Sequence, residues 1–224
     1  MITAKFVIFL SIGTLAMLIP LLLCGRVYKI KVFKCVIAAL CLTLVGTAGT
    51  YVMGLVENDF RFGSRSFYGA VFLIPIVFVA IAPMLRIPYG KLMDMSAPSV
   101  SIMLILMKAL CLLEGCCGGC ELYVTSAGKS VCFPSQIIEL LNAAIIFAVL
   151  MYMIYKKRSM GKIYAWYMVI YGISRFVLNF FRADLASFVW ILPAGHFWSL
   201  ISLAAGALWL VCLAKKESKE IVTE

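Results

Sequence analysis

The sequence predicts an all-α integral membrane protein, a bundle of about seven transmembrane helices. Three observations carry that prediction. Hydrophobic residues make up 64% of the 224 residues and charged residues only 13%, with a mean hydropathy of +1.07, outside the range of an ordinary soluble domain. The apolar residues fall into long runs, most of roughly 17–22 residues, the length a helix needs to cross hydrocarbon. The basic residues gather between those runs. A transmembrane barrel would read as short alternating segments, and none is visible. The net charge of +10 therefore fits anionic headgroups and orientation signals, not nucleic acid. The single histidine, His196, leaves no multi-histidine metal site within one chain, and neither metal nor cofactor is expected.

In chain order the runs are 6–24, 35–56, 67–85, 99–113, 137–155, 163–181 and 196–214. The first follows Lys5 and resembles a secretory signal. It lacks a small-x-small cleavage site and other spans follow, so an uncleaved helix is expected. The third contains Pro75, expected to kink it for packing. The fourth is short and carries Lys108, which a tilt or an earlier start near Met95 would accommodate. The fifth opens on Phe133, Pro134, Ser135 and Gln136, where Pro134 suits a helix start and Ser135 a cap. The sixth carries Arg175 within one turn of its centre. Residues 1–214 read as one transmembrane domain and 215–224 as a short cytoplasmic tail, its polar end expected to fray. No internal repeat is visible, which weighs against an inverted-repeat transporter.

With Lys108 and Arg175 assigned to the membrane, the segments after the first, third, fifth and seventh runs hold 13 Lys and Arg against 5 in the others. That bias places the C-terminus in the cytoplasm and the N-terminus outside. The loops 57–66, 115–136 and 182–195 then face outward, and chemistry is expected near the outer leaflet.

Arg175 is the residue that most needs a reason. A guanidinium keeps its charge, and burying it in hydrocarbon costs several kcal/mol unless it meets a cavity or partner. Asn179 and Arg182 follow at i+4 and i+7 on the same helix face. Together they read as a clamp for phosphate or carboxylate; the plainer alternative is a snorkelling Arg175 and an Arg182–Asp184 pair. Lys108, Cys111 and Gly115 form a second stripe, with Glu114 one position off it. The plainer reading there is a Lys108–Glu114 pair before a glycine-rich turn. Gln136 and Glu139 point the same way at i and i+3, and Tyr68 opens the third span, as a headgroup donor or as an aromatic-belt residue. Cys116, Cys117, Cys120 and Cys132 share one outward loop, as structural disulfides, a zinc site or a redox dithiol. Buried cations of this kind point to a membrane enzyme or transporter acting on an anion.

Taken together, the pieces resemble the prolipoprotein diacylglyceryl transferase family from residue 67 to the seventh span. Three blocks carry the resemblance: 106–119, 133–139 (FPSQIIE) and 171–182 (YGISRFVLNFFR). Asp94, Ala97 and Pro98, and then Gly195, His196, Ser199 and Leu200, add to it. Relative to the family, Lys108 stands at the signature arginine, Cys111 at an asparagine, Cys116 at the signature glutamate, Asn179 at a glutamate, Tyr68 at a histidine and His196 at a glutamine. Arg175, Arg182, Gln136 and Glu139 are kept. The chain is thus similar to a divergent member of the family. The resemblance implies seven spans in a bacterial plasma membrane and transfer of a diacylglyceryl group from a phosphatidylglycerol-like phospholipid to the cysteine thiol of a lipoprotein precursor or another thiol acceptor. Arg175, Lys108, Tyr68 and Glu114 would then serve catalysis, and Arg182, Asn179, Gln136, Glu139, Cys111 and Gly115 would hold substrate. Two other readings stay open: a membrane thiol oxidoreductase using Cys117 and Cys120, and a non-catalytic lipid-binding relative.

Overall fold

The computed structural model describes residues 4–57, 60, 65–114, 119–124, 130–182, 188–189 and 192–222. Among them are seven helices: α1 Ala4–Tyr28, α2 Val32–Glu57, α3 Phe67–Leu85, α4 Tyr89–Glu114, α5 Ser135–Tyr155, α6 Ile163–Asn179 and α7 Ala194–Val222. Two short antiparallel hairpins join them, β1 (Glu121–Val124) with β2 (Ser130–Cys132) and β3 (Phe188–Val189) with β4 (Leu192–Pro193). Six helices are long and apolar enough to cross a membrane. The exception, α6, has 17 residues and packs chiefly on α7.

α3 matches the expected bounds. α4 starts ten residues before the predicted 99, because its polar residues are absorbed inside the bundle. Leu92 to Ser101 are buried on every side, as befits a helix that packs against α1, α3, α5 and α6. Within it, Ser96 and Ser99 donate to the carbonyls of Leu92 and Met95, so neither hydroxyl is left unpaired in an apolar core. α6 ends at Asn179 rather than 181. α7 continues as helix to Val222, through the tail expected to fray. Ser135 is the first helical residue of α5 and not its cap; Pro134 holds that position. Leu15, Leu44, Ile76, Val79 and Ile145 are exposed, as lipid-facing residues of a membrane bundle should be.

Three features hold the helices in register. α2 and α3 touch backbone to backbone: a Cβ on Gly69 would lie 1.8 Å from the Gly49 carbonyl oxygen, the close approach that small residues permit between membrane helices. Gly69→Leu is expected to destabilise the fold by at least about 3 kcal/mol through overpacking. Gly46→Ala, whose Cβ would meet Ile74 at an ordinary 3.7 Å, should be neutral. Thermal unfolding of both variants in detergent tests this, and equal melting points would refute it. Pro75 cannot donate to the Val71 carbonyl one turn back. Tyr164 of α6 donates to it instead, at 3.0 Å, and the Pro75 carbonyl accepts from Tyr89 at 3.0 Å. Finally, Asp94 is fully buried and accepts from the Tyr28 hydroxyl (2.5 Å), the Gly161 amide (2.5 Å) and the Ile163 amide (2.9 Å). A carboxylate from α4 thereby caps the start of α6, where amides lack helical partners, and ties α1 to both.

Candidate functional site

α4, α5 and α6 bring four charged side chains together at one end of the bundle. The buried stripe of α5 runs Ser135, Glu139, Ala143, Ile146, Leu150 and Ile154, and that periodicity turns Glu139 inward. On α6, Arg175 lies one turn from each of the buried residues Tyr171 and Asn179. Glu139 is 4% exposed. Its Oε1 accepts from Arg175 Nη1 at 2.5 Å and from Arg182 Nη1 at 3.0 Å, while its Oε2 pairs with Lys108 Nζ. Three cations thus surround one carboxylate, leaving the four side chains with two net positive charges. Burial strengthens both the attraction to Glu139 and the mutual repulsion of the cations.

Arg182 lies past the end of α6 and is placed by the β1–β2 region. Gly119 and Arg182 form an antiparallel bridge, and the Cys120 amide donates to the Phe181 carbonyl at 3.0 Å. The Phe133 amide donates to the Cys120 carbonyl at 2.9 Å, and the Phe133 and Phe181 rings stack at 4.7 Å. Only glycine fits at 119, since a Cβ there would lie 2.0 Å from the Phe133 carbonyl oxygen. The segment following α4 is in this way sewn to the end of α6.

α3 and α7 close the other side. The Tyr68 hydroxyl is 2.5 Å from Ser199 Oγ, which donates to the Gly195 carbonyl at 2.5 Å, and the Tyr68 and Tyr171 rings lie 5.4 Å apart. Asn179 is buried, and its Nδ2 has no hydrogen-bond partner among the described residues. His196 is 6% exposed and meets the rings of Phe176 and Phe180 edge-on at 5.2 and 4.6 Å. Both its ring nitrogens lack a partner among the described residues. Asn142 of α5 donates to Ser174 of α6 at 3.1 Å and steadies the wall between them.

The structure joins Lys108, Glu139, Arg175 and Arg182 directly, with Tyr68 and Asn179 on the flank. Gln136 and Cys111 are half-buried, one turn from Glu139 and Lys108 respectively. Glu114 is exposed at the end of α4 and makes no ion pair among the described residues. The alternative pairing of Lys108 with Glu114 is therefore replaced by Lys108 with Glu139. Gly115, Cys116, Cys117 and Asp184 lie outside the described residues. Cys120 is half-buried and Cys132 exposed, both with free thiols. His196 answers no metal motif as the only histidine of the sequence; its burial without a partner among the described residues is what marks it as a functional side chain. An apolar cavity lies between α1, α2, α3 and α4, with Phe67 and Met107, the sequence neighbours of Tyr68 and Lys108, in its wall. Arg65, over the Tyr51 ring at 4.7 Å, also lines it.

Fold and site together define an all-α, multi-pass integral membrane protein with a net-positive cluster buried in one end of its bundle. The sequence matches the prolipoprotein diacylglyceryl transferase family over residues 10–212, and the chain belongs to that family. A protein of Clostridium perfringens (strain 13 / Type A), phosphatidylglycerol–prolipoprotein diacylglyceryl transferase 2, is 28% identical over 131 residues, covering 53% of this chain and 50% of that relative. The match thus spans about half the length of that curated relative.

Proposed function

We propose that this chain is a transferase that moves the diacylglyceryl group of a phosphatidylglycerol-like phospholipid to the cysteine thiol of a lipoprotein precursor. The observation that carries the reading is the Glu139 carboxylate held by Lys108, Arg175 and Arg182. A phosphate diester entering beside these cations brings one further negative charge to them. Glu139 orients the cations at the place where a headgroup would meet them. The apolar cavity reaching Met107 and Phe67 suits an acyl chain while the headgroup meets the cluster. The basic connecting segments favour this cluster facing the outer leaflet of a bacterial plasma membrane, with the C-terminus cytoplasmic.

In the reaction, the thiol sulfur bonds to the terminal glycerol carbon of the diacylglyceryl unit. The bond from that carbon to phosphate oxygen breaks, and glycerol phosphate leaves. Charge grows on the departing phosphate, where Arg175, Arg182 and Lys108 stabilise it. The thiol proton needs an acceptor. His196 offers an imidazole whose nitrogens have no partner among the described residues, on the helix that also carries Ser199, the partner of Tyr68. His196→Ala is expected to slow transfer by about 10²–10⁴-fold, with partial recovery on adding free imidazole. A variant as fast as the parent would remove His196 from the chemistry.

The direct test supplies purified protein with phosphatidylglycerol labelled in its acyl chains and a lipobox peptide. Labelled peptide and released glycerol phosphate are expected in equal amounts. Lipid that copurifies and never turns over would instead identify a lipid-binding relative without activity.

A further inference from the structure

We infer a second phosphate-binding site at the opposite end of the bundle, independent of the transfer reaction. A pocket of about 280 Å³ is lined there by Tyr28, Lys29, Lys31, Lys34, Arg86 and Lys91, together with Ile30, Ile87 and Pro88. Its cations come from three places: the α1–α2 turn and the start of α2, the α3–α4 turn, and the first turn of α4. None of the five forms an ion pair among the described residues. No acid lines the pocket. The carboxylate behind its floor, Asp94, is fully buried and already accepts from Tyr28 and two amides. It tethers the floor and leaves the cations uncompensated.

An orientation signal needs only a number of basic residues on one side of the membrane. Here they are also arranged. Lys29 and Arg86 hold left-handed backbone conformations, φ 56° and 51°, where α1 and α3 end and the chain turns into the pocket rim. The Lys34 ammonium donates to the Arg86 carbonyl at 3.2 Å and locks the two turns together. At the same end, outside the pocket, Lys162 pairs with Glu217 at 2.6 Å. Val32, Phe33 and Met84, next to the pocket in sequence, are exposed apolar side chains. They set the pocket at the depth where hydrocarbon gives way to headgroups.

The ligand class is a phosphate group, borne either by an anionic phospholipid headgroup or by a small soluble phosphate. Native mass spectrometry of the purified protein in neutral detergent, titrated with phosphatidic acid, phosphatidylcholine or inorganic phosphate, tests the site and separates its sources. Phosphatidic acid still held in an Arg175→Ala background, where the Glu139 cluster is weakened, and not competed by inorganic phosphate assigns the site to lipid; displacement by inorganic phosphate assigns it to a soluble ligand. A Lys29→Gln/Lys91→Gln double variant is expected to bind about 10–30-fold more weakly. The Arg/Arg double variant at the same positions should retain binding. Lys156→Gln/Lys157→Gln, which removes equal charge outside the pocket, should bind as the parent does. Equal weakening in both glutamine variants, or no preference for phosphatidic acid or phosphate over phosphatidylcholine in the parent, overturns the inference.

Discussion

Arg175→Ala is expected to lower transfer by about 10²–10³-fold, the usual cost of removing a donor aimed at developing charge. The effect should fall on turnover more than on assembly. Glu139 keeps Lys108 and Arg182 as partners, so the variant should still elute as a folded protein. Arg175→Lys should recover only part of the loss, since an ammonium presents a point charge and not a planar fork. Initial rates of label transfer to the lipobox peptide decide the matter. A rate unchanged in Arg175→Ala would mean that the guanidinium is structural and that the leaving phosphate is stabilised elsewhere.

Glu139→Gln should have the largest effect on stability. It keeps the shape of the side chain and removes the buried carboxylate that three half-buried cations share. Deleting one partner from a buried ionic group costs about 3–5 kcal/mol, because the remaining charge stays buried and uncompensated. Thermal unfolding in a neutral detergent would register this as a marked fall in Tm. Added phosphatidylglycerol should then stabilise the variant more than the parent, by linkage, because the headgroup takes over part of the carboxylate's role. An unaltered Tm, or the same lipid-induced shift in both proteins, would show that Glu139 does not set the charge balance of the site.

Much of the fold was legible because long apolar runs have few ways to satisfy their backbone in lipid. α3 illustrates this: nothing polar interrupts it, and its bounds agree with the prediction. α4 shows where the reading fails. Asp94, Ser96 and Ser99 lower the local hydropathy, yet each is satisfied by another helix or by its own backbone, which only tertiary structure reveals. The site followed the same pattern. Arg175, Lys108, Glu139 and Arg182 stood out singly as charges in the wrong solvent. That Glu139 is the shared partner was hidden, because helical spacing shows neighbours along one helix and offered Lys108 the nearer Glu114. Arg182 depends on a backbone bridge to Gly119 that no side-chain pattern announces. His196 was masked by being alone.

The Asp94 cap has a further consequence for how the protein is made. α6 is the helix least able to enter a bilayer unaided, being the shortest and carrying a cation that costs about 2.5–3.5 kcal/mol at mid-membrane on insertion scales. Both groups that offset this, the carboxylate capping its first turn and the counter-charge for its arginine, lie upstream in the chain at positions 94 and 139. They leave the ribosome first. Order of synthesis thus divides the needs of α6: the helices before it carry its polar partners, and α7, on which it chiefly packs, arrives after it.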